Sequence, residues 1–215
     1  MSSRLPATFR QFGVATRAIA VFTIGLGVIY PLAMTGAAQA LFHDNANGSV
    51  IQVNGKDVAS DLIGQAYTKQ ATKDGKPEVD AEGAPVMEAD PLWFQTRPSA
   101  VDYDAAGSAA SQYGPNNKDL EGLIAERRKT VAELEGVDQS QVPPDALTAS
   151  GSGLDPQISP AYAALQVNRV ARERGLEVAK VQQLVKDNTK GRTLGFLGEP
   201  TVNVVTLNAD LAAQK

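Results

Sequence analysis

Between Arg17 and His43 the chain runs for 25 residues, AIAVFTIGLGVIYPLAMTGAAQALF, without a formal charge. As a helix rising 1.5 Å per residue this stretch reaches ~37 Å, enough to cross a hydrocarbon core of ~30 Å with some tilt. We read one transmembrane helix over residues 18–42, a short terminus at 1–17 before it and a single domain over 43–215 after it. A cleaved signal peptide is the competing pattern, because Ala38-Gln39-Ala40 ends the run in A-x-A fashion. Cleavage after Ala40 would release a secreted or lipid-free extracytoplasmic binding protein. The run exceeds the ~7–15 apolar residues of ordinary signals, which favours an anchor.

Charge sets the expected orientation. Three of the 20 cations (Arg4, Arg10 and Arg17) and none of the 24 acids precede residue 44, so the first segment is +3 and the remainder −7. After the span the first Lys is Lys56. By the positive-inside rule the N-terminus is cytoplasmic and the domain extracytoplasmic, in a single-pass protein of the cell membrane in contact with its lipid. The acidic body lacks the basic cluster that neutralises phosphates, so nucleic acid is excluded as a partner. No Cys occurs, which removes disulfides, thiolate chemistry and Cys-type zinc sites.

Within the span, Thr23 with Gly27, Ala33 with Ala37 and Gly36 with Ala40 are small-x-x-x-small pairs that let a second helix approach closely. Pro31 is expected to kink or weaken the helix near its middle. No charge lies in the membrane, so the helix is no ion relay.

The body reads as a small α+β domain. SVIQV at 49–53 followed by Asn54-Gly55 signals a hairpin. Residues 69–90 mix Pro, Gly and acids without period and read as a solvated loop insertion. Trp93-Phe94 reads as a core anchor. NKDLEGLIAERRKTVAELE at 117–135 places Leu120, Leu123, Ile124, Val131 and Leu134 on one helical face, with Gly136 as its stop and Arg127-Arg128-Lys129 on a solvated face. Ser159-Pro160 supplies an N-cap and first-turn proline for a helix over 160–174, and a second helix follows at 177–188. VNVVTL at 202–207 is β-branched and reads as a buried strand.

The segment at 142–160, VPPDALTASGSGLDPQISP, admits two readings. It is either a tight structural connection or a loop offering backbone N–H groups to an anion. It lacks the Lys of a phosphate-binding P-loop. No aspartyl-phosphate sequence, potassium-filter sequence or nucleophile with a plausible base occurs, and the only His is His43. Asp145, Asp155 and Glu199 are candidates for a carboxylate pair only on the strength of chance among 24 acids. These absences predict a protein that is not an enzyme and holds no metal.

TASGSGLDPQISPAYAALQVNRVARERGLEVAKVQQLV at 148–185 resembles the signature region of the C subunits of bacterial Kdp potassium-transporting P-type ATPases, the KdpC family. SDLIGQAY at 60–67, WFQTRPSA at 93–100, GPNNKDL at 114–120 and GRTLGFLGEPTVNVVTLN at 191–208 agree in order, so the resemblance covers nearly the whole chain. The family often has His near Gln95 and Gln157 and Thr at Asn116, so this chain departs from it there. The resemblance implies an accessory subunit working beside a potassium-translocating A subunit, an ATP-hydrolysing B subunit and a small F peptide. Its implied role is to stabilise assembly and to act as a catalytic chaperone that raises the B subunit's affinity for ATP. No cofactor is implied as tightly bound; ATP is shared transiently with the B subunit. The residues implied for nucleotide contact are Gln166 and Arg169, with Ser150, Gly151 and Ser152. The charge asymmetry opposes direct contact, since it puts the body across the membrane from cytoplasmic ATP.

Overall fold

The computed structural model describes residues 6–53 and 55–214, so Arg4 and Asn54 lie outside the described residues. The chain divides into two compact units between Ser49 and Val50. In the first, α1 (Ala7–Ile24) passes through a π-helical turn at Gly25–Ile29 into α2 (Tyr30–Leu41), followed by the short α3 (His43–Ala46). Ala7–Leu41 is the one helix among the described residues long and apolar enough to cross a membrane.

This helix begins eleven residues before the uncharged run. Its 35 residues extend ~52 Å, so turns carrying Arg10 and Arg17 continue the apolar stretch. Pro31 has no N–H, and its ring presses on the carbonyl four residues back. A wider π turn at Gly25–Ile29 just ahead of it accommodates that defect, at the point where the helix was expected to kink or weaken. Neither α1 nor α2 contains a buried residue, and Gln39 near the end of α2 exchanges side-chain hydrogen bonds with Asn47.

In the second unit β1 (Val50–Val53) and β2 (Lys56–Ser60) form the expected antiparallel hairpin, with Val53 opposite Lys56. Residues 69–90 are mostly exposed, with Ala71 buried, but they are not irregular. Here β3 (Thr68–Gln70) pairs with β6 (Met87–Ala89), and β4 (Thr72–Lys73) pairs with β5 (Lys76–Pro77). The turn between β4 and β5 is Asp74-Gly75, both at positive φ, the primed geometry whose twist matches paired strands. That dipeptide overrides the aperiodic composition around it.

After an extended stretch come α4 (Lys118–Glu135), β7 (Gln157–Ile158), α5 (Pro160–Arg174), α6 (Val178–Asp187), β8 (Thr189–Lys190), β9 (Thr201–Asn203) and α7 (Val204–Ala212). Asn117 caps α4 by accepting from the N–H groups of Asp119 and Leu120, and Gly136 ends it in the left-handed region. Ser159 caps α5 through the N–H of Tyr162, and Gly175 ends it in the same way. The sheet is antiparallel in the order β7-β9-β8.

The expected strand at 202–207 stops early. Asn203 turns its side-chain oxygen onto the N–H groups of Val205 and Thr206 and starts a helix instead. Val204, Leu207, Asn208 and Leu211 then fall on one face and bury it. Phe94, Val167, Val170, Val181, Val202, Val204, Leu207 and Leu211 form the core of an α+β fold.

Candidate functional site

Residues 93–99 have no strand partner, so their buried backbone groups need side chains to satisfy them. Two amides do so. On α7, Asn208 Oδ1 accepts from the N–H of Phe94 at 3.0 Å while its Nδ2 donates to the Phe94 carbonyl at 2.9 Å. On α5, Gln166 treats Gln95 the same way, accepting from its N–H at 2.6 Å and donating to its carbonyl at 3.1 Å. Consecutive residues of an extended chain face opposite ways, which is why two helices share the task.

Arg169, three residues along α5, ties this clamp to α4. Its Nη2 donates to Gln166 Oε1 at 2.9 Å, and its Nη1 to the carbonyls of Pro91 and Trp93 at 2.6 and 3.0 Å. Its Nε reaches both carboxylate oxygens of Glu135, the last residue of α4, at 3.0 and 3.1 Å. Both side chains are 1% exposed. Burial pushes the Glu135 carboxyl above its ordinary pKa, and the charge and hydrogen bonds of Arg169 partly oppose that rise. Arg174 lies 4.0 Å over the Trp93 ring, a cation–π contact that holds the start of the segment. Trp93 and Phe94 are anchors as expected, with Phe94 fully buried.

Ser150, Gly151 and Ser152 lie elsewhere, on a hollow of about 600 Å³ that also includes Asp61, Arg97 and Asp155. Ser150 Oγ accepts from the N–H of Gly153 at 2.9 Å and Ser152 Oγ from that of Leu154 at 3.1 Å. Arg97 donates to the Thr148 carbonyl from Nε and Nη2 and faces Asp155 at 3.5 Å. Two carboxylates against one guanidinium leave the hollow negative, the wrong sign for phosphate. Gln166 and Arg169 line no part of it, so the structure does not gather the five residues expected at a nucleotide into one place.

The three candidate carboxylates are equally scattered. Asp145 accepts from the N–H and hydroxyl of Ser159, Asp155 faces Arg97, and Glu199 pairs with Arg192 at 2.7 Å. No group of three or more metal-ligating side chains occurs among the described residues. Arg127 leaves its expected solvated face, half-buried and donating to the Leu147 carbonyl at 3.0 Å. On the helix, Thr23, Gly27, Ala33, Gly36, Ala37 and Ala40 are all exposed.

A family model described as K+-transporting ATPase, c chain (KdpC), matches residues 12–213. The chain belongs to the KdpC family. It is 43% identical to the potassium-transporting ATPase KdpC subunit of Streptomyces avermitilis over 98% of this chain and 97% of that protein. The KdpC subunit of Caldanaerobacter subterraneus is 46% identical over 89% of each chain, and that of Kineococcus radiotolerans 44% identical over 98% and 97%. The chain is therefore a component of a Kdp potassium-transporting ATPase, a P-type ATPase assembly.

Sequence reasoning missed Glu135 and Asn208 as members of the clamp. Asn208 carried a signal, a polar residue four places after Val204 on what becomes a buried helix face. Glu135 carried none beyond its place before the helix-stopping Gly136.

Proposed function

We propose that the chain is a non-catalytic subunit that secures assembly of the potassium-transporting ATPase. In this reading residues 1–17 are cytoplasmic, 18–42 span the membrane and 43–215 form the extracytoplasmic domain. The ATP-hydrolysing B subunit carries the chemistry, the A subunit the potassium pathway, and the small F peptide completes the complex. The observation that carries the reading is the 35-residue apolar helix with its small-x-x-x-small pairs, in a chain that belongs to the KdpC family. Such pairs let a neighbouring helix approach closely enough for van der Waals packing to hold it.

The clamp supports a scaffolding role for the domain, because the polar atoms of Gln166 and Arg169 are engaged within it. A chaperone effect on ATP affinity then passes through contacts with partner subunits, with no tightly bound cofactor in this chain. Deleting the chain should cause loss of assembled complex and of potassium-stimulated ATP hydrolysis in purified membranes. Intact complex with unchanged activity would sink the proposal. N-terminal sequencing of the purified chain tests the anchor separately, since a start near residue 41 means a cleaved signal.

A further inference from the structure

Residues 191–200 join β8 to β9 as a protruding hairpin. Its tip holds the two most exposed large apolar side chains described in the Val50–Lys215 unit, Leu194 at 79% and Phe196 at 69%, with Leu197 at 49% beside them. Leu and Phe ordinarily belong inside, and a cluster left in water marks an interaction surface.

The hairpin is held rigidly. Thr193 and Leu197 exchange both backbone hydrogen bonds, at 2.9 and 3.0 Å, and the Gly195 N–H donates to the Arg192 carbonyl at 3.0 Å. Arg192 and Glu199 pair at 2.7 Å across its base. Leu194 takes φ 55, a left-handed conformation in which a Leu side chain crowds its own backbone. Strain of that kind persists only where surrounding bonds impose it, and it concentrates at functional points.

We propose that the tip formed by Leu194, Phe196 and Leu197 is a preshaped anchor that docks into an apolar cleft on another protein subunit of the potassium-transporting ATPase. The chemistry favours protein over lipid. Residues 193–198 carry no basic side chain and no Trp or Tyr, and the nearest guanidinium, Arg192, is already paired with an acid. An apolar centre bordered by charged groups is instead the anatomy of a protein–protein hot spot. A tip fixed in advance loses little freedom on docking. The proposal rests on the chain's being a subunit of that assembly, which needs a covered face.

The test uses the tagged full-length chain expressed with its own ATPase. With Phe196 replaced by benzoylphenylalanine, irradiation of membranes should join the chain to another subunit. An adduct with lipid only, an adduct with a second copy of this chain, or no adduct in assembled complex would overturn the proposal. The double variant Leu194→Ser/Phe196→Ser should weaken retention of the complex in detergent by roughly tenfold or more. Its thermal unfolding should match wild type, because these side chains lie outside the core. Undiminished retention would also overturn the proposal. If the wild-type chain itself fails to co-purify with the ATPase, the assembly role falls; if it does co-purify and only the tip experiments fail, only this inference falls.

Discussion

Gln166 and Gln95, 71 residues apart in sequence, form a two-way hydrogen-bonded pair in which one side-chain amide serves both backbone groups of the other residue. The amide stands in for a neighbouring strand. Gln166→Leu leaves a partly buried N–H and C=O without partners and removes an acceptor from Arg169, so it should cost about 2–4 kcal/mol. The single Trp of the chain, Trp93, lies two residues from Gln95 and makes fluorescence during urea unfolding a direct readout. If Gln166 serves nucleotide instead, the variant will change the complex's apparent ATP affinity and leave unfolding where it was.

Glu135 makes a different prediction because its titration and its pairing can be separated. Its carboxyl has a folded pKa raised above the ordinary 4.5, chiefly by burial. The folded state therefore holds this proton to higher pH than the unfolded chain. The contribution of the group to stability is full below about pH 4.5 and is lost as pH rises through the folded value. Relative to Glu135→Gln, whose neutral amide does not titrate, wild type should lose stability across that window and run parallel above it. Glu135→Leu removes both acceptors of the Arg169 Nε and should cost about 3–5 kcal/mol near neutral pH. Unfolding of the three proteins between pH 4 and pH 8 checks both statements. Wild type gaining stability relative to Glu135→Gln as pH rises would contradict the first.

Local chemistry made some elements legible in the sequence and hid others. Asn117, Gly136, Ser159 and Gly175 fixed the ends of α4 and α5 because capping is decided within a few residues. The run 202–207 misleads by propensity: its β-branched residues suit a strand, yet Asn203 caps a helix whose apolar face the core then buries. The Asp74-Gly75 turn was readable in principle, but the acids and prolines around it obscured two very short strands. The clamp was least accessible. Glu135 meets Arg169 across 34 residues and Asn208 meets Phe94 across 114, and pairings at such separations depend on the completed fold.

Gly153 is the one glycine of the TASGSG loop that the fold cannot replace. It sits at φ 69, and an added Cβ would come within 2.6 Å of Val101 Cγ2 and 2.8 Å of the Ala109 carbonyl oxygen. Gly151 has open space around it. Gly153→Ala therefore combines backbone strain with overpacking and should cost about 2–4 kcal/mol, while Gly151→Ala should stay within about 0.5 kcal/mol. Thermal unfolding of the two variants side by side is the measurement, and equal effects would remove the steric explanation.

Orientation can be tested cleanly because the chain has no Cys of its own. Arg10 and Arg17 sit in the first turns of the long helix and Asp44 lies just past its end, where the chain turns acidic. Retaining those guanidiniums in the cytoplasm sends the acidic domain outward. Asp44→Cys should then react with a membrane-impermeant maleimide in intact cells, whereas Gln11→Cys should react only after permeabilisation. The opposite pattern would put the domain in the cytoplasm beside ATP. A direct nucleotide role for Gln166, Arg169 and the Ser150–Ser152 loop would then regain its topological footing, leaving the negative hollow and the internal hydrogen bonds as the obstacles to it.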